Sequence, residues 1–340
     1  MPRTLVDTTQ RHTRSTLLGA DVDMPLVIAP TGINGMLRHG ADAALARAAA
    51  AAGIPFTLST VANARPADIA RACRGRRWMQ LYHFREPAIT TDILARAADA
   101  GFEALVFTTD ANVFGAREWD KRSFRRPGRL TLRHALDAAR HPRWALDVLV
   151  PHGVPRFVNV ADFLAPEDRS VAKGVARIPE LFAPAVDWND VARLRDQWRG
   201  RFLLKGVLDA ADVERAIGYG CDGVVLSNHG GRQLDACVAP LEVLPEIARV
   251  HGARITILID SGFRRGSDIA KALALGADAV MIGRATLYGL AAGGEAGVSH
   301  ALALLKDELH RTLGLVGVNS VAELEPGLLR AGPPTRTVFD

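Results

Sequence analysis

The sequence is poor in cysteine. Cys73, Cys221 and Cys237 are its only three, too few for a disulfide framework, and none belongs to a CxxC pair. They read as small buried residues of a reducing compartment. No apolar run approaches the roughly 20 residues that span a bilayer. The N-terminal MPRTLVDTTQRHT lacks the apolar core of a secretion signal. The expectation is a cytoplasmic protein. Low-complexity tracts are missing too. A mild basic excess, 42 Lys and Arg against 37 Asp and Glu, comes with no nucleic-acid-binding motif. Nucleic acid is therefore not an expected partner, and anionic small molecules suit the charge at least as well. With 48% hydrophobic and 23% charged residues, the composition excludes a disordered or collagenous chain. The length of 340 residues allows one large domain or two smaller ones.

What is present is rhythm. Eight short apolar runs end in polar residues: LVIAP (26–30), FTLST (56–60), WMQLY (78–82), ALVFTTD (104–110), FLLKG (202–206), GVVLSN (223–228), TILIDS (256–261) and AVMIGR (279–284). Near-continuous apolar runs of this length suit strands buried on both faces, as in a parallel sheet. Helical patterns lie between them. The first runs to Gly53, the second opens at Pro66 and ends at Gly75, and others stop at Gly101, Gly220 and Gly276. Asp209 and Ser267 are the expected N-caps of two of them, and Ser299–Leu315 closes the series. Eight such units predict an α/β chain, a closed (β/α)8 TIM barrel over one domain, 1–340. A doubly wound open sheet is the rival, but eight regular units fit closure better. One stretch breaks the rhythm, an insertion at about 111–201 after the fourth strand. It opens with a charged segment and has a polar middle at 161–177, so it reads as a partly mobile excursion over the barrel top.

In such barrels the strands' C-terminal ends carry the active site. Polar residues converge there from every strand. After strands seven and eight, Gly262, Gly266 and Gly283 let backbone approach an anion, and Arg264 and Arg284 add forked cationic donors. Those features point to a phosphate-bearing ligand. His229, at the end of strand six, is a candidate base that Asp110 from strand four can orient. Arg232 and Arg117 can grip a carboxylate. Lys205 at a buried strand end calls for an electron-rich partner, with a Schiff-base lysine as the competing reading. The other histidines show no metal-ligand spacing.

Ser227-Asn228-His229-Gly230-Gly231-Arg232-Gln233 resembles the active-site signature of the FMN-dependent 2-hydroxy acid oxidases and dehydrogenases. APTG (29–32), LST (58–60), QLY (80–82), TTD (108–110), LKG (204–206), DSGFRRGSDIAKALALGA (260–277) and GRATLYGLAAGGEAGV (283–298) fit the same family in order, so the resemblance runs from Pro2 to about Glu325. Within the family, SNHGGRQLD, DSGFRRGSD and GRATLYGLAA resemble the (S)-mandelate-oxidising branch. Gly32 stands where glycolate-oxidising members carry alanine beside the flavin, which favours a dehydrogenase.

The resemblance implies FMN across the barrel mouth, with its phosphate at Arg264, Gly283 and Arg284. It places Pro30, Thr31, Gly32, Ser59, Gln80 and Thr108 against the ring, and Lys205 beside the atoms that become negative on reduction. Ser227, Asp260, Ser261, Gly262 and Phe263 complete the implied cofactor contacts. His229 then takes the substrate proton, Asp110 stabilises the imidazolium, Arg232 and Arg117 hold the carboxylate, and Tyr82 bonds the hydroxyl. The implied substrate is a small (S)-2-hydroxy acid, an aromatic one such as (S)-mandelate giving benzoylformate. The electron acceptor stays open among quinone, cytochrome and oxygen, with a non-oxygen acceptor favoured. An oxidase making hydrogen peroxide and a weakly active FMN-binding protein are the alternatives. The resemblance also implies a homotetramer.

Two departures bear on these expectations. Family members begin some tens of residues earlier, with a tyrosine for the substrate carboxylate, and none of Tyr82, Tyr219 and Tyr288 matches it. In the mandelate branch the region matching the insertion attaches the protein to a membrane. Here 157–185 mixes Phe157, Val158, Phe163, Leu164, Ile178, Leu181 and Phe182 with Arg and Lys. Its weak periodicity favours a solvated lid over peripheral contact with the inner face of a membrane.

Overall fold

The computed structural model describes residues 2–113, 115, 117 and 131–330. Eight parallel strands close into a barrel: β1 (Leu26–Ile28), β2 (Phe56–Leu58), β3 (Arg77–Leu81), β4 (Ala104–Thr108), β5 (Arg201–Val207), β6 (Gly223–Leu226), β7 (Thr256–Ile259) and β8 (Ala279–Ile282). Each pairs with its neighbours in order, and β8 returns to β1. This is the (β/α)8 barrel, and the open-sheet rival falls with closure.

The unbroken apolar runs follow from two cores. Val27, Trp78, Ala104, Val106, Leu203, Val225, Leu258, Ala279 and Met281 point into the barrel. Their neighbours Leu26, Ile28, Leu105, Phe107, Phe202, Leu204, Ile257 and Val280 pack outward under the helices. Alternating side chains of one strand thus serve both layers. A hairpin, Ser15–Leu17 with Ala20–Val22, plugs the N-terminal end by adding Leu17 and Val22 to the inner core.

The helices that screen the barrel are α1 (Ala41–Ala51), α2 (Pro66–Ala72), α3 (Pro87–Asp99), α4 (Trp188–Gln197), α5 (Ala210–Gly218), α6 (Pro240–His251), α7 (Gly266–Ala274) and α8 (Arg284–Val316). Gly53, Gly101, Gly220 and Gly276 follow four of them with positive φ, the left-handed geometry that ends helices. Asp209 caps α5 by accepting from Ala211 N (2.7 Å).

Several expectations need correction. Ser267 lies inside α7; the cap is Arg265, whose N–H donates to the Asp268 carboxylate (3.0 Å). Gly75 does not end α2, which stops at Ala72 with Cys73 extended. Gly75 instead packs on α1, where a Cβ would meet Ala50 Cβ at 2.6 Å. The last helix starts well before Ser299, at Arg284, and breaks at Gly293–Gly294.

The insertion is shorter than 111–201, because α4 is an ordinary barrel helix capped by Asp187, which accepts from Asn189 N (2.8 Å). Nor is its middle a free lid. Phe157, Val160, Leu164, Val171, Ile178 and Phe182 are buried in the outer core. Of the charged segment, residues 118–130 lie outside the described residues. Among the described residues no helix is long and apolar enough to cross a membrane.

Candidate active site

The polar ends of the apolar runs lie in the last residues of the strands, as Gln80 of β3, Thr108 of β4 and Lys205 of β5 do, or in the loops just after them at the barrel's C-terminal mouth. There they surround a cavity of about 450 Å³. Of the residues singled out in the sequence, Pro30, Thr31, Gly32, Ser59, Gln80, Tyr82, Thr108, Arg117, Lys205, His229, Arg232, Asp260, Ser261, Gly262, Phe263, Arg264, Gly283 and Arg284 all line it. Asp110 and Ser227 stand one layer behind, and Gly266, expected at the anion site, lies away from the cavity with its N–H donating to Glu308 Oε2 (2.9 Å). Asp110 Oδ1 lies 2.9 Å from His229 Nδ1. Ser227 Oγ accepts from Lys205 Nζ (2.7 Å) and from the His229 N–H (3.0 Å).

Local sequence explains how these groups come together. Gly206 takes φ +101 at the irregularity between Lys205 and Val207, and a Cβ there would meet Asp110 Cβ at 2.7 Å. Glycine is what lets Asp110 pack beside β5. His229 (φ +57) and Ser261 (φ +78) hold left-handed backbone, a strained state that non-glycine residues keep only where their surroundings fix it. Ser261 Oγ donates to Asp260 Oδ1 (2.6 Å) and accepts from Gly230 N (3.1 Å), tying the β6 and β7 loops.

The charges are arranged in pairs. Buried Lys205 donates to Asp260 Oδ2 at 3.0 Å. Burial pushes the Lys205 ammonium down, yet the Asp260 and Asp110 carboxylates outweigh it and hold it above its ordinary value. Burial likewise pushes Asp110 up. The hydrogen bond from His229 and the Lys205 charge outweigh that and keep Asp110 below the usual carboxylate range. An ionised Asp110 only accepts, so the proton of the contact sits on His229 Nδ1 and leaves Nε2 as the basic nitrogen. Burial raises the Tyr82 phenol, with Lys205 partly opposing, so Tyr82 stays a protonated donor.

Two features escaped the sequence reading. Gln233 donates from Nε2 to the carbonyls of Asp110 (2.9 Å) and Val113 (3.0 Å), while its Oε1 accepts from Arg117 Nη2 (3.2 Å). It therefore pins the loop that delivers Arg117, and its place in the 227–233 motif was the available signal. The excursion supplies the second feature, an apolar wall of Phe157, Val175, Ile178, Pro179 and Phe182. The Phe182 ring lies 4.8 Å from that of Tyr82. No local pattern announces this wall.

The sequence profile of the FMN-dependent dehydrogenase family matches residues 1–331. The chain belongs to this family. It is 45% identical over 337 residues to an (S)-mandelate dehydrogenase of Pseudomonas putida, covering 99% of this chain and 84% of that one. With an L-lactate dehydrogenase of Caulobacter sp. (strain K31) it shares 42% over 327 residues, 96% of this chain and 86% of the relative. A crystal structure of (S)-mandelate dehydrogenase, described as a monotopic membrane protein, superposes with a TM-score of 0.90 at 46% identity, over 97% of this chain and 87% of the other.

FMN is the family's cofactor, and the residues at the cavity fit it. Gly262 has φ +108 and open space where a Cβ would stand, so its backbone can meet a ligand directly. Gly283 precedes α8, whose first N–H groups need acceptors. Arg264 and Arg284 line the cavity, as does buried Lys205.

Proposed function

We propose that this enzyme oxidises an (S)-2-hydroxy acid with an aromatic side chain, such as (S)-mandelate, to the 2-oxo acid. Electrons pass on to an acceptor other than oxygen. The observation that carries this reading is His229, backed by Asp110 at 2.9 Å, on the wall of a cavity that Arg117, Arg232 and Lys205 also line. Bound FMN supplies the acceptor for the two electrons that leave the substrate. Pro30, Thr31, Gly32, Ser59, Gln80 and Thr108 hold its ring, and Arg264, Gly283 and Arg284 hold its phosphate. Asp260, Ser261, Gly262 and Phe263 shape the loop between these two parts.

His229 takes up a substrate proton at Nε2, and Asp110 stabilises the imidazolium so formed. Arg117 and Arg232 orient the substrate carboxylate with forked donors. Tyr82 donates to the hydroxyl oxygen. Lys205, kept charged by Asp260, places a cation where negative charge gathers. The apolar wall of Phe157, Val175, Ile178 and Phe182 excludes water from the other side and favours a ring over a methyl group.

The test is kcat/KM for (S)-mandelate, (S)-lactate and glycolate, with peroxide followed in parallel. The reading expects mandelate first and peroxide well below stoichiometric. Lactate ahead of mandelate, or one peroxide per turnover, would contradict it.

Peripheral membrane contact belongs to a different segment from 157–185, whose apolar residues are largely buried. Leu132, Leu136, Leu146 and Val150 are exposed over 132–150, beside exposed Arg140 and Arg143. An apolar strip edged with arginines suits an anionic leaflet, here the inner face of the cell membrane. Leu132→Ser with Leu136→Ser is expected to reduce sedimentation with anionic vesicles. Unchanged sedimentation would remove this segment as the contact.

A further inference from the structure

A buried polar cluster behind the β1 loop takes no part in the steps above. Asp42, in the first turn of α1, is 3% exposed. Its Oδ1 accepts from Asn34 Nδ2 (2.8 Å) and its Oδ2 from the Asn63 N–H (2.8 Å). The same Asn34 amide donates to the Thr31 carbonyl (3.0 Å), and Thr31 lines the cavity. Asn63 accepts at Oδ1 from Gly35 N (2.8 Å) and donates from Nδ2 to the Arg156 carbonyl (2.8 Å). One carboxylate thus anchors the β1 loop, the β2 loop and the excursion.

Helix formation does not require this carboxylate, because α1 is otherwise alanine, Leu45 and Arg47. Burying it is costly. Burial pushes Asp42 up to about 6, and the Asn34, Asn63 and Ala64 donors recover only part of the shift. Charged side chains of the elements around it pair elsewhere: Arg38 faces Asp147 (3.7 Å), Arg47 faces Glu295 (2.7 Å), and Asp68 pairs with Arg71.

A second observation concerns Asn34 Oδ1, which is buried and has no hydrogen-bond partner. With Asp42 ionised, Asn34 must offer its NH2 group, and Oδ1 stays unsatisfied. With a proton on Asp42, the new O–H can donate to Oδ1 once the amide turns over. That turn withdraws Nδ2 from the Thr31 carbonyl.

We propose that Asp42 and Asn34 are positioning residues for the cofactor: ionised Asp42 holds the Asn34 amide against Thr31 and so sets the Thr31–Gly32 backbone against the flavin, and protonation releases it. This rests on the reading that the FMN ring lies against Thr31 and Gly32. Two pH dependences then run in opposite directions. The folded-state value of about 6 lies above the ordinary 3.8, so ionisation opposes folding, and stability falls as pH rises between those values. Flavin retention rises as pH passes up through about 6, where Asp42 ionises in the folded protein.

The experiment measures FMN release by flavin fluorescence from the diluted holoenzyme between pH 5 and 8, alongside thermal midpoints. Its samples are the wild type, Asp42→Asn, Asn34→Ala and Asp278→Asn. Asp278 is the control, a carboxyl also pushed up by desolvation, which accepts from Ile257 N (2.7 Å) at the other end of the barrel.

Wild type is expected to hold FMN about 3–10-fold more tightly at pH 7.5 than at pH 5, the worth of one hydrogen bond. Asp42→Asn, neutral like the protonated carboxyl, and Asn34→Ala should both be flat at the looser level. Asp42→Asn should melt no lower than wild type at pH 7.5, and Asp278→Asn should keep the wild-type flavin profile. An Asp42→Asn profile equal to wild type would overturn the inference. So would parallel loss of melting temperature and FMN at every pH, the mark of plain scaffolding. A wild-type protein that binds no FMN would instead overturn the cofactor reading beneath it.

Discussion

The barrel is hollowed at both ends, and only one hollow is built for a ligand. The N-terminal cleft beside the hairpin, about 540 Å³, and the C-terminal cavity, about 450 Å³, are of similar volume, and both are rich in arginine. The difference lies in what the arginines face. In the cleft, Arg76 pairs with Glu103 (2.7 Å), while Arg195 (3.2 Å) and Arg201 (2.7 Å) share Asp222. These ion pairs tie strand ends together. At the mouth, Arg264 lies over the Tyr288 ring and Arg284 donates to the Gly230 carbonyl, neutral partners that leave their charge for a ligand. The charged pairs that do exist there, Lys205 with Asp260 and His229 with Asp110, are buried or nearly so, with Lys205, Asp260 and His229 on the cavity wall. Volume does not distinguish a site from a seam. Uncompensated charge beside strained backbone does.

The largest effect that sharpens this contrast is expected at the histidine pair. His229→Gln or Asp110→Asn should lower kcat/KM by about 10²–10⁴-fold with FMN retained, as for loss of a general base or its partner. Anaerobic single-turnover reduction of the flavin measures it. Asp110 is held below its ordinary value, so its contribution persists as pH falls from neutral and is lost only when pH drops through that depressed value.

Next comes Lys205→Met, which strands Asp260 in the core and should cost about 3–5 kcal/mol of stability in urea unfolding. An unchanged midpoint would mean the ion pair is dispensable to the fold. Arg232→Lys keeps a charge but loses the fork, so KM should rise by about 10–100-fold, the worth of a charge-assisted hydrogen bond, with kcat less affected. The smallest effect is expected in the cleft. Arg201→Ala should change stability by about 0–1 kcal/mol, since half the side chain is exposed, and leave kcat and KM alone. A kinetic defect there would break the distinction between the two ends.

How much of this was legible in the sequence follows from the same physics. A strand buried on both faces must be apolar throughout, so β1–β8 stand out, and the polar residues that end each run mark the mouth. The hairpin at 15–22 has strands of three residues each, too short to show a period. The excursion packs through Phe157, Ile178 and Phe182, which no helix or strand periodicity connects, so it read as a lid. The Asp42 cluster draws on positions 34, 42 and 63, which only the closing of adjacent loops brings together. What the sequence hides is contact made at long range by irregular backbone.

In this reading the C-terminal cavity binds FMN, which takes two electrons from a 2-hydroxy acid while His229 takes up the substrate proton. The most direct measurement is the visible spectrum of the purified protein without oxygen, before and after adding (S)-mandelate. The expected result is an oxidised flavin band that bleaches with (S)-mandelate in the wild type and persists in His229→Gln over the same interval. A flavin band that bleaches equally fast in both proteins would contradict it.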